Sequence, residues 1–133
     1  MSEQIKHECG IAFIRLLKPL EYYYTRYGTT LYGINKLHLL MEKQHNRGQD
    51  GAGVATIKLN IQPGNKYIDR VRSNSAGPID DIFKQIYKPF QDIIHTDPEK
   101  INDSLWLKNN IPFFGEVFMG HLRYGTFGKN NIE

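Results

Sequence analysis

Cys9, the only cysteine of the chain, stands in the segment HECGIAFI, directly ahead of an apolar run that reads as a buried strand. A thiol titrates near 8.5 in model peptides, so at neutral pH it needs a neighbouring base to become a nucleophile. Cutting the bond between Glu8 and Cys9 supplies that base, because a free α-amine titrates at about 7.7–8.0 and sits on the same residue. Uncut, the Cys9 nitrogen is an amide and accepts no proton. Taken alone, Cys9 reads more simply as a small buried core residue at the head of a strand.

Two later segments change that balance. His45 to Gly53 reads HNRGQDGAG, with glycines around an arginine and an aspartate, between a helical and a strand-like stretch. Gly120 to Gly128 reads GHLRYGTFG, again glycines around an arginine. Neither is ordinary turn chemistry. A guanidinium such as that of Arg123 matches a carboxylate bidentately, a geometry lysine does not reproduce.

In this order, ECGI, RGQD and GH-x-RY-x-T resemble the glutamine amidotransferase domain of the N-terminal-nucleophile hydrolases, most closely that of the amidophosphoribosyltransferases. In that family the cysteine begins the mature chain, the RG-x-D segment follows the first long helix, and GH-x-RY-x-T ends a later strand. Gln49 is the residue that separates the branches: glucosamine-phosphate synthases usually have RGYD there and asparagine synthetases RGPD. MSEQIKHE, residues 1 to 8, resembles the removable leader of some amidophosphoribosyltransferases and of the glutamate synthases. Asn46 stands where the family commonly has His.

The resemblance implies an αββα sandwich and assigns roles. Cys9 is the implied catalytic nucleophile, attacking the side-chain amide of glutamine. Arg123 holds the substrate's α-carboxylate, and Tyr124 and Thr126 line the substrate site. Arg47, Gly48 and Asp50 form a loop near the nucleophile, in which Arg47 either stabilises the thiolate or is braced by Asp50. His121 invites a Cys-His pair, which the family does not use. The family's oxyanion-hole Asn-Gly segment and its amine-binding Asp lie farther downstream than Glu133. Residues 9 to 133 therefore correspond to the first part of a glutaminase domain, expected to be nearly inactive alone.

The activity so implied is that of a transferase in purine biosynthesis, a glycosyltransferase fed with ammonia from glutamine. The implied partner is a phosphoribosyltransferase half of the same protein, in a homo-oligomer. No metal or cofactor is assigned within this chain. Magnesium and an iron–sulfur cluster belong, by the resemblance, to regions outside it. Three alternatives stay open: a non-catalytic fragment whose Cys9 stays blocked, a glutaminase of the glutamate synthase or glucosamine-phosphate synthase branch, and an unrelated Cys-His hydrolase using His121 or His45.

Composition sets the outer limits. A chain of 133 residues is one domain's worth, and a hydrophobic fraction of 40% is adequate for a core. A formal charge of +3 with dispersed lysines and arginines gives no case for nucleic acid. One cysteine excludes an internal disulfide, and no apolar run approaches the roughly 18–20 residues that span a bilayer. The expectation is a cytoplasmic protein without a membrane partner.

Local patterns predict the elements. Gly10 to Leu17 reads as a strand, Leu20 to Thr30 as a tyrosine-rich surface loop, and residues 31 to 44 as an amphipathic helix with His38 solvated. Alternation predicts a strand from Ala55 to Ile61, a turn at Gln62 to Asn65 and a second strand at Lys66 to Ser73. Ile79 to Ile94 has helical spacing that Pro89 should kink or split. Asp97-Pro98-Glu99 should start a helix running to about Asn109 with Trp106 packed inward, and Phe114 to Arg123 should be the last strand. Mixed periodicity gives the α+β class.

Overall fold

The computed structural model describes residues 10–44 and 49–124. The chain is α+β. Its strands are β1 (Gly10–Arg15), β2 (Gln49–Ile57), β3 (Ile68–Ser73) and β4 (Val117–Tyr124). Its helices are α1 (Leu20–Tyr27), α2 (Tyr32–Lys43), α3 (Pro78–Thr96) and α4 (Ser104–Asn110), with a 3-10 turn at Pro98–Asn102. The strands form one antiparallel sheet in the order β1-β4-β2-β3.

Strand alternation divides the sheet into two unlike faces. Ala12, Ala52, Val54, Phe118 and Leu122 point to one face, where they meet Ile34, Leu37 and Met41 of α2 and Ile79, Ile82, Phe83 and Ile86 of α3 in a single core. The opposite face bears Ile11 and Phe13 of β1, Met119, His121 and Arg123 of β4, Gly51, Gly53 and Ala55 of β2, and Arg70 and Arg72 of β3. Ile11 is 75% and Phe13 59% exposed, so no described element covers that side of β1.

Several sequence expectations are corrected. Residues 20–27 are helix, not loop: Gly28 takes a left-handed conformation (φ 80) and returns its N–H to the Tyr24 carbonyl at 2.8 Å, closing the helix. Packing holds it, since Tyr23 is buried and its ring contacts those of Tyr22, Tyr27 and Tyr32. His38 is not simply solvated; its ring stacks on Phe83 with centroids 4.1 Å apart.

β2 begins six residues earlier and ends four residues earlier than alternation suggests. Glycines carry no apolar signal, which hid its first half. Its end is set by Lys58, whose buried Nζ donates to the carbonyls of Lys108 (2.6 Å) and Ile111 (2.8 Å). Burial pushes the Lys58 ammonium below its usual pKa. Lys108 pairs in turn with Glu116 at 2.7 Å, and Glu116 accepts from Leu59 N–H at 2.8 Å. These bonds fasten the segment between α4 and β4 to the β2–β3 hairpin.

α3 runs unbroken through Pro89. The lost bond falls on the carbonyl of Gln85, an exposed residue that water can serve, while Ile82, Phe83, Ile86 and Phe90 are almost fully buried and hold the helix together. The stretch expected as one helix from Asp97 is two pieces. Asp103, extended at φ −100, caps α4 through its side chain, which accepts from Trp106 N–H at 3.0 Å. Leu107 is the fully buried residue there, with Trp106 only half-buried. β4 starts at Val117 rather than Phe114; ahead of it Phe113 is left-handed (φ 66), with its N–H held by Asp69 at 3.1 Å.

Candidate functional site

Three strand ends meet at one end of the sheet. β1 enters there at Gly10, β2 enters at Gln49, and β4 leaves at Tyr124. Gly10 is opposite Leu122 on one side of β4; Ala52 is opposite Leu122 on the other, Gly51 opposite Arg123, and Gln49 opposite Tyr124. Neighbouring strands lie about 4.8 Å apart, so Gly10 and Ala52 are roughly 10 Å from each other across β4. The register breaks between Gln49 and Gly51, a bulge of the kind that re-aims side chains at strand ends.

Arg123 is exposed on the open face of β4. Its partner across the ladder is Gly51, so no side chain from β2 stands opposite the guanidinium. Asp50 is buried at 7% exposure, and its Oδ2 has no hydrogen-bond partner among the described residues. A buried carboxylate oxygen in that state calls for a donor. Tyr124 is placed by its backbone, as the last residue of β4. Cys9, Arg47, Gly48 and Thr126 lie outside the described residues.

The topology nonetheless fixes the neighbours of those four in sequence. Gly10 follows Cys9, Gln49 follows Gly48, and Tyr124 precedes Gly125 and Thr126. The segments ECGI, RGQD and GH-x-RY-x-T, far apart in sequence, therefore touch the described structure at a single end of adjacent strands. Among the described residues, no group of three His, Cys, Asp or Glu is placed to hold a metal ion. No described helix is long and apolar enough to cross a membrane.

Two contacts at this end lie beyond what the motifs name. His121 stands on the same face as Arg123, opposite Ile11 on one side and Gly53 on the other. Its ring lies over Gly53, where a Cβ would come within 2.4 Å of Nε2. Gln44, at the C-terminal cap of α2, reaches the first residues of β1: its Nε2 donates to the carbonyl of Ile11 at 3.1 Å. The glycine at position 53 in mid-strand was the available signal for the first contact. Nothing in the sequence marked the second.

Compared with family models, curated proteins and solved structures, the chain finds no match.

Proposed function

We propose that this chain is the N-terminal part of the glutaminase domain of an amidophosphoribosyltransferase, with Cys9 as an N-terminal nucleophile. The observation that carries the reading is the meeting of β1, β2 and β4 at one sheet end, with Gly10 paired to Leu122 and Gly51 to Arg123. A glutaminase of this kind needs a nucleophile and a carboxylate clamp several ångströms apart, because the amide carbon of glutamine is separated from its α-carboxylate by the length of the substrate.

In the proposed reaction, residues 1 to 8 are removed and the α-amine of Cys9 takes the thiol proton. The thiolate attacks the amide carbon, the C–N bond breaks, and the ammonium form of the amine returns its proton to the departing ammonia. Water then adds to the thioester carbon, the C–S bond breaks, and glutamate and free thiol are released. Arg123 holds the α-carboxylate, with the bare Gly51 leaving room beside it. Tyr124 and Thr126 line the substrate site. Arg47 and Gly48 are assigned to the loop beside the nucleophile; Asp50, expected in that loop, is instead the second residue of β2, and its buried Oδ2 has no partner among the described residues.

In the intact protein the open face of the sheet is covered by a second sheet, giving the αββα sandwich. The exposed Ile11 and Phe13 support this. The ammonia passes to a phosphoribosyltransferase half of the same protein. A hydrolase using His121 as base is disfavoured by one contact: its ring lies over Gly53 of β2, whereas Cys9 leads into β1, on the other side of β4.

A diazoketone analogue of glutamine tests the assignment on the full-length gene product. The expected result is a single covalent adduct on the peptide that begins with Cys9, blocked by excess glutamine. Labelling elsewhere, or labelling that glutamine does not protect against, would remove Cys9 from the reaction.

A further inference from the structure

The side chain of Gln44 lies over the start of β1. A Cβ added to Gly10 would sit 2.2 Å from Gln44 Oε1, so the carboxamide fills the space that any side chain at position 10 would take. From that position Nε2 donates to the Ile11 carbonyl at 3.1 Å. The base of the side chain is itself fixed, since the Gln44 N–H is bonded to the carbonyls of Leu40 and Met41 at the end of α2. One carboxamide thus ties the helix that leads into RGQD to the two residues that follow Cys9.

We infer that Gln44 is a positioning residue for the nucleophile: it sets the path of the chain at Gly10 and Ile11, and through it the placement of Cys9 against the substrate amide. The inference rests on the proposed glutaminase reading. Gly10 belongs to the same arrangement, because a methyl group there must displace the carboxamide that bonds Ile11. Displacements of about 1 Å at a reacting group can cost on the order of 100-fold in rate. Their effect appears in kcat, since glutamine binding through Arg123 is untouched.

The test uses the full-length gene product, assayed for glutamine hydrolysis and for phosphoribosylamine formation from free ammonia. Gln44→Ala, and Gln44→Glu, which keeps the shape but loses the donor, are expected to lower kcat for glutamine about tenfold or more. The KM should stay within about twofold and the ammonia-dependent rate should not change. Gly10→Ala should behave alike, and Gly10→Ala/Gln44→Ala should be no worse than the poorer single variant, because both changes act on the same contact. An unchanged kcat in Gln44→Ala, multiplicative losses in the double variant, or equal loss of both activities would overturn the inference. Cys9→Ala run in parallel separates the two levels. If it retains glutamine hydrolysis, the glutaminase reading falls and takes this inference with it; if it is inactive, the Gln44 variants alone decide.

Discussion

The imidazole of His121 covers the bare backbone of Gly53, so that a Cβ on residue 53 would lie 2.4 Å from Nε2. The contact turns the ring toward β2, while the strand that follows Cys9 runs along the other edge of β4. His121 is therefore a side chain that fills a glycine gap on the open face. His121→Ala in the full-length gene product is expected to change kcat for glutamine by less than about threefold. A loss of 100-fold or more, with a pH profile that loses one limb, would make it the base.

Arg123 should discriminate glutamine from ammonia. Arg123→Lys keeps the charge but not the fork of donors, and its expected effect is a rise in KM for glutamine of about tenfold or more. The rate with free ammonia, which has no carboxylate, should hold. Equal loss with both nitrogen donors would indicate that Arg123 supports the fold.

The open face gives a test of the second sheet. Phe13 is 59% exposed in this chain, so Phe13→Asp should alter the stability of the 133-residue chain by no more than about 0.5 kcal/mol. If a second sheet covers that face in the full-length protein, the same change should cost about 2 kcal/mol or more there, by losing an apolar contact and burying a charge. Denaturant melts of both pairs provide the comparison. Equal, small effects would leave the face bare in both.

Much of this was legible from residue patterns. The helix at 31 to 44 and the last strand carry a clear apolar period, the turn at Gln62 to Asn65 carries turn residues, and all three form. The failures share a cause: the deciding contacts come from packing that the local apolar pattern does not display. The first half of β2 is built on Gly51 and Gly53, whose lack of side chains matters only once β3 and β4 lie beside them. α1 forms on tyrosines of modest helix propensity because Tyr32 of α2 stacks on them. α3 continues through Pro89 because its buried face outweighs one lost bond. The site divides likewise: the motifs name Cys9, Arg47 and Arg123, but the contact of Gln44 with Gly10 follows from the packing of α2 on β1.

Alkaline pH should loosen the α2–α3 contact at Tyr87. Its hydroxyl donates to Asn35 Oδ1 at 2.6 Å, and burial pushes its pKa from 10.0 up to about 12. The folded value lies above the unfolded one, so the contribution is intact below pH 10 and is lost as pH rises through about 12. Tyr87→Phe should flatten the fall in stability over that range, read by denaturant melts at pH 9 to 12. A fall of the same steepness in the variant would assign it to other groups.

The central claim is that Cys9 becomes the first residue of an active glutaminase, and the most direct measurement is the N-terminus of the active protein. The full-length gene product, purified by activity, should give an intact mass and a first sequencing cycle that correspond to loss of residues 1 to 8. Cys9→Ala should retain those residues and release no glutamate from glutamine. Protein that is fully active with Met1 or Ser2 still at its N-terminus would contradict the account, because the α-amine that the reaction uses as its base would not exist.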